Sequence, residues 1–230
     1  MPREELNRQI RHMEDEILLL GSMVEEATLK AVDVLKKRDV ENAKIIFEDD
    51  RLINEKRFAI ENAILILIAT QQPVAHDLRL LAAMLTVIGE LERMGDYAKG
   101  ICKITMRLGA ADVPIPTREF DKMAELAVSM LHQSLTAFIE EDPAKAVSIT
   151  KQDDAVDELY DRVYHQVVNA MIANPAVIDH ANLLMWVAHN LERLADRATN
   201  VCERTVFIAT GELLEMDTSE SEDPENSEDF

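Results

Sequence analysis

The sequence predicts an all-α fold of two tandem, pseudo-symmetric antiparallel three-helix bundles, and three observations carry that prediction. Turns are scarce: the 230 residues include only 6 Gly and 7 Pro, aromatics make up 4%, and Leu, Ala, Met, Glu and Ile dominate. Apolar residues recur alternately four and three apart, the spacing of a helix with one buried seam. Finally, the pattern of the first half returns in the second.

The first seam runs through Leu6, Ile10, Met13, Ile17, Leu20, Val24, Ala27, Ala31 and Val34. Asp39 then reads as an N-cap opening a second helix that carries Ile46, Ile53, Ile60, Ile64 and Leu67. Gln72-Pro73 ends it, because proline lacks the donor that would continue the ladder. A third seam, Leu80, Met84, Val87, Leu91, Met94, Ala98 and Ile101, stops near Gly109, and the segment to Thr117, with Pro114 and Pro116, reads as the linker between halves. The pattern restarts in a fourth helix from about Thr117 to Glu141. A fifth helix is opened by Asp142-Pro143 and closed by Asn174-Pro175. The sixth runs to about Thr210 along Leu184, Val187, Leu191, Leu194, Ala198, Val201, Thr205 and Ile208. These signals divide the chain into bundles at 1–110 and 114–212, followed by an acidic tail at 213–230 that is expected to be disordered.

The two halves align along whole helix pairs. An offset of 103 carries Asp39 to Asp142, Ala43 to Ala146, Ile46 to Ile149, Asp50 to Asp153 and Ile53 to Val156. An offset of 100 carries Leu91-Glu92-Arg93 to Leu191-Glu192-Arg193, Asp96 to Asp196 and Cys102 to Cys202.

Charge removes one class of partner. A formal net charge of −20 repels phosphate backbones, so nucleic acid is not an expected ligand. Nine of the acidic residues and no Lys or Arg fall within 212–230. The two cysteines fit neither a disulfide scaffold nor a four-cysteine zinc site, and no apolar stretch follows the first charges of Met-Pro-Arg-Glu-Glu-Leu. The longest strongly apolar run, Ala63 to Ala69, is far short of the ~20 residues a membrane span needs. A reduced, cytoplasmic setting is therefore expected.

Carboxylates interrupt the greasy seams. Asp50 stands in the stripe of the second helix, and Asp153 stands at the matching place in the fifth, with Asp157 one turn later where the first copy has Asn54. Glu92 with Asp96, and Glu192 with Asp196, add pairs four apart on one helical face. Burying an ionised carboxylate costs several kcal/mol or more unless a cation or donors meet it. Facing pairs of oxygen ligands in a bundle suit a divalent or trivalent cation, and carboxylates alone favour Mg, Mn or Fe over structural Zn. The other reading places these acids on solvated faces or pairs them with Arg51, Arg57, Arg93, Arg193 and Arg197. Recurrence at matched positions favours the cation cluster, although duplication alone also repeats a surface.

The stretch Asp77-Leu78-Arg79, with Glu90-Leu91-Glu92-Arg93-Met94-Gly95-Asp96-Tyr97-Ala98 beyond it, resembles the signature of the PhoU family of phosphate regulators. So does Asn190-Leu191-Glu192-Arg193-Leu194-Ala195-Asp196-Arg197-Ala198-Thr199-Asn200, and the likeness covers about residues 3–212. The resemblance implies metal-binding motifs of the form acid-x-x-x-Asp, falling here on Asp50, Glu92, Asp96, Asp153, Asp157, Glu192 and Asp196. Asn54 departs from that form; its amide oxygen can still serve as the eighth ligand but brings no charge, so the second repeat is the better metal site. The resemblance further implies a cytoplasmic negative regulator of the phosphate-starvation response. Such a protein would modulate phosphate uptake, work with the ATPase subunit of the phosphate ABC transporter and with a sensor histidine kinase, and assemble as a homodimer or higher oligomer.

Asp77, Arg79, Arg93 and Arg193 are candidate partner-binding residues, with closure of the bundle end as the other role for Asp77 and Arg79. The methionines, Trp186, Cys102 and Cys202 fit core packing. No Glu-x-x-His occurs, which argues against a ferritin-like oxidase, and neither a Gly-rich phosphate loop nor a nucleophile with an evident base is present. The chain is therefore expected not to be an enzyme. Metal-dependent hydrolysis on the carboxylate clusters and a metal-free helical adaptor are the alternatives.

Overall fold

The structure, a computed structural model, describes residues 2–111 and 113–216. It is all-α, with no strand among the described residues. The first half holds α1 (Pro2–Lys37), α2 (Val40–Gln71) and α3 (His76–Leu108). The second holds α4 (Thr117–Glu140), α5 (Pro143–Thr150), α6 (Asp153–Ala173), a 3₁₀ turn at Pro175–Val177, and α7 (Ile178–Thr210).

Local chemistry sets these boundaries. The Asp39 carboxylate accepts from the Asn42 N–H at 3.0 Å and opens α2, and Asp142 accepts from the Lys145 N–H at 3.0 Å to open α5 behind Pro143. Gly211 closes α7 with φ of 81°, the left-handed conformation that costs glycine least.

The expected fifth helix, Asp142 to Asn174, is interrupted once, into α5 and α6. A turn at Lys151-Gln152 separates α5 from α6. Thr150 turns its hydroxyl onto the Val147 carbonyl at 3.1 Å, and Gln152 exchanges amide hydrogen bonds of 3.0 and 3.2 Å with Gln133 of α4. The Thr150 hydroxyl competes for a backbone carbonyl of the helical ladder, and the Gln152–Gln133 pair ties the turn to α4. The break places Asp153 in the first turn of α6, where the helix dipole favours a carboxylate.

Within the first half α1 packs on α2 and α3, and in the second α4 and α6 pack on α7. The halves are joined along α3 with α7 and α1 with α4, so one hydrophobic core runs through both. Helices that touch neighbours in both halves need two buried faces. Gly100 of α3 lies against Asn190 of α7, and α3 and α7 also bury residues at seven-residue spacing, Leu81, Ile88, Gly95 and Cys102 in one and Ala181, Ala188, Ala195 and Cys202 in the other, with Gly95 facing Ile53 and Asp50 of α2. Polar ties reinforce the seam. Glu90 of α3 accepts from Arg197 and Asn200 of α7 at 3.3 and 3.2 Å, and Lys36 of α1 pairs with Asp121 of α4 at 2.7 Å.

The linker between α3 and α4 is tied down: the Arg38 guanidinium donates to the carbonyls of Ala111 and Val113, and Val113 is buried. Of the expected acidic tail, residues 213–216 run without regular structure, and 217–230 lie outside the described residues. No helix among the described residues is long and apolar enough to cross a membrane.

Candidate functional site

In the first repeat, α2 delivers Asp50 and Asn54 and α3 delivers Glu92 and Asp96. Asp50 is buried, at 5% exposure. Its Oδ2 accepts from the Lys99 ammonium at 2.7 Å and the Asn54 amide at 3.0 Å, while its Oδ1 is shut from solvent without a hydrogen-bond partner. Lys99 was not legible in the acid pattern, although its counterpart in the second repeat is Thr199. The hydrogen bond it donates to Asp50, with the fields of Asp50, Asp96 and Glu92, holds the Lys99 ammonium above its ordinary pKa. Burial first, and the Asp50 charge second, push Asp96 up. A cavity of about 140 Å³ lies against Asp50, Gly95 and Lys99.

The second repeat has no lysine at the equivalent place. Asp153 and Asp157 of α6 and Glu192 and Asp196 of α7 line one polar cavity of about 470 Å³. Burial is the main reason the Glu192 carboxyl is raised to about 7, and the charges of Asp196, Asp157 and Asp153 raise it further against the pull of Arg193. Asp157 is pushed up by burial and then by Asp196. Glu192 Oε2 is buried without a hydrogen-bond partner and faces His189 Nδ1 at 3.3 Å. Thr199 turns its hydroxyl onto the Asp196 carbonyl at 2.7 Å instead of entering the cluster. The chain beyond α7 folds back over the opening: the Met216 N–H donates to Glu203 Oε1 at 2.9 Å, and Glu203, Glu215 and Met216 line the same cavity. Those three carried no signal in the acid-x-x-x-Asp spacing.

The eight residues expected as ligands thus fall into two groups, four in each half. Among the described residues no three His, Cys, Asp or Glu side chains close into a metal cage. The donor set of the second group nevertheless fits a hard cation: four carboxylates line one cavity, Glu192 among them is raised to about 7 mainly by burial, and its buried Oε2 accepts no hydrogen bond. The first group does not offer this, because an ammonium and an amide N–H already meet its buried acid.

The expected partner-binding residues are placed differently. Asp77 is buried and pairs with Arg3 of α1, while Arg79 donates to the Ile208 carbonyl at 3.3 and 3.4 Å, near the end of α7. Both close the bundle end. Arg193 pairs with Asp196 at 3.1 Å, and Arg93 is exposed. Cys102 and Cys202 are buried, and burial pushes both thiols to about 12. Trp186 is the exception to the expected core packing: at 54% exposure it lies on the surface, its ring edge-on to His189.

These features define a class: a duplicated all-α protein in which matched carboxylate groups stand where two helices of each half meet. A profile of the PhoU domain matches residues 17–105 and 120–205, once per repeat, and the chain belongs to the PhoU family. Its relatives include a phosphate-specific transport system accessory protein PhoU homolog of Clostridium acetobutylicum, 34% identical over 217 residues, covering 94% of this chain and 99% of the relative. The Escherichia coli K12 protein of that name is 29% identical over 208 residues, covering 90% and 86%. The crystal structure of the phosphate transport system regulatory protein PhoU from Streptococcus pneumoniae superposes with a TM-score of 0.85 at 31% identity, covering 92% of this chain and all of that one. PhoU from Pseudomonas aeruginosa gives 0.83 at 27% identity, covering 90% and 99%.

Proposed function

We propose that this protein is a negative regulator of the phosphate-starvation response. In this reading it acts in the cytoplasm, as a homodimer or higher oligomer, and couples the phosphate ABC transporter to a sensor histidine kinase while moderating uptake. The observation that carries the reading is alignment over nearly the whole chain with proteins named as accessory proteins of the phosphate-specific transport system. The expected outcome of deleting the gene is derepression of phosphate-starvation genes in phosphate-rich medium. An unchanged response contradicts the reading. Immobilised full-length protein should retain the transporter's ATPase subunit and the kinase, and retention of neither removes the coupling.

A second element is a divalent or trivalent cation held by Asp153, Asp157, Glu192 and Asp196. What supports it is the second cavity, where four carboxylates gather, the lining cations Arg193 and Arg197 pair with Asp196 and Glu90, and Thr199 stands in place of a lysine such as Lys99. Once bound, the ion would supply positive charge that lets all four acids ionise together and would fix α6 against α7. Protein purified without a histidine tag should carry Mn or Fe in metal analysis, and Glu192→Ala/Asp196→Ala should remove it. Equal metal content in the two proteins overturns this assignment.

A further inference from the structure

We propose that the first repeat carries its own cation, the Lys99 ammonium, in the place where the second repeat is built to take a metal ion, so that the two halves are one metal site and one metal-free copy of it. The proposal rests on the reading of the second repeat as a cation site, but its evidence is separate. Lys99 Nζ lies 2.7 Å from Asp50 Oδ2, a charge-assisted contact to a carboxylate only 5% exposed. Asn54, standing where the second copy has Asp157, turns its amide N–H to the same oxygen at 3.0 Å. An Asp there would instead have added a second negative charge beside Asp50. Both departures from the second copy therefore act in one direction: one acid is replaced by a donor, and a cation is added.

The site is built rather than incidental. Asp50 Oδ1 is a buried oxygen without a partner, next to a cavity of about 140 Å³ that Lys99 also lines. An ion approaching that oxygen would meet the fixed ammonium bonded to its twin. Gly95 keeps the approach of α3 to α2 close, since a Cβ there would stand 3.2 Å from Ile53 and 3.6 Å from Asp50 Oδ1. The Phe47 ring, 5.3 Å from Lys99 Nζ, contributes a cation–π contact that holds the ammonium in place. A resident lysine holds Asp50 at any metal concentration, so the first half stays closed while the second can respond to the ion.

The test exchanges the two differences and measures Mn²⁺ uptake by equilibrium dialysis of the full chain, with helicity checked by circular dichroism. Glu192→Ala/Asp196→Ala should take up no Mn²⁺. Adding Lys99→Thr and Asn54→Asp to that background should restore uptake, and a further Asp50→Ala should remove it again. In the opposite direction, Thr199→Lys alone should weaken Mn²⁺ binding of the otherwise unaltered protein by about tenfold or more. Three results would each overturn the proposal: uptake by Glu192→Ala/Asp196→Ala that Asp50→Ala abolishes, no uptake after the Lys99→Thr/Asn54→Asp exchange, or undiminished affinity in Thr199→Lys. If the unaltered protein and Glu192→Ala/Asp196→Ala take up equal Mn²⁺, the second-repeat site fails by itself, and the Asp50 and Lys99 comparisons still decide the first.

Discussion

At the scale of single residues the two repeats solve one problem in opposite ways. Asp50 has a lysine and an amide, whereas Glu192 has other acids and is raised from 4.5 to about 7. In the metal-free protein that shift has a definite pH signature. The folded state holds the Glu192 proton more tightly than the unfolded chain, so the stabilisation is fully present below about 4.5 and is lost as pH rises towards 7. With chelator present, the melting temperature of the parent should therefore fall relative to Glu192→Gln between pH 5 and pH 8, and parallel profiles would rule out the shift. Metal should reverse the penalty. Mn²⁺ at a hundred times its dissociation constant adds ~2.7 kcal/mol, or ~5–10 °C for a chain of this size, and Glu192→Ala/Asp196→Ala should show none of that rise in a thermal melt.

At the scale of elements most of the fold was legible. Asp39, Asp142-Pro143 and Gln72-Pro73 act through their own backbone chemistry, so their positions could be read without a neighbour. Asp142→Ala should cost ~1 kcal/mol in urea unfolding, because the Lys145 N–H loses its acceptor. A cost near zero would mean that α5 is held by packing alone. What the periodicity hid depends on partners in space. The break at Lys151-Gln152 is tied to Gln133 on another helix. Lys99 lies three residues beyond Asp96, outside the acid-x-x-x-Asp spacing, and becomes visible only when α3 is laid beside α2. Trp186 follows Met185 and precedes Val187, so a local pattern cannot show that its own ring faces outward.

At the scale of the molecule, the duplication predicted two bundles but not how completely they share a core. The face where α3 meets α7 is instead marked by Glu90 with Arg197 and Asn200 and by Gly100 beside Asn190, a polar set that an apolar seam does not show. Because α3 packs on α7 and α1 on α4 around one continuous core, unfolding should be one cooperative step. Trp186, the single tryptophan, reports on the second half, while circular dichroism reports on both. Their urea midpoints should coincide, and separated midpoints would show independent bundles. The shared core also joins the α6–α7 junction to the first half through α7 and α3, whose Glu90–Arg197 pair is mostly buried.

The central claim joins the second-repeat carboxylates to phosphate control, and complementation tests it most directly. A strain lacking the protein, carrying a phosphate-starvation reporter and supplied with folded Glu192→Ala/Asp196→Ala at the parental level, is predicted to leave the reporter on in phosphate-rich medium, whereas the parent gene turns it off. Full repression by the variant would contradict the account.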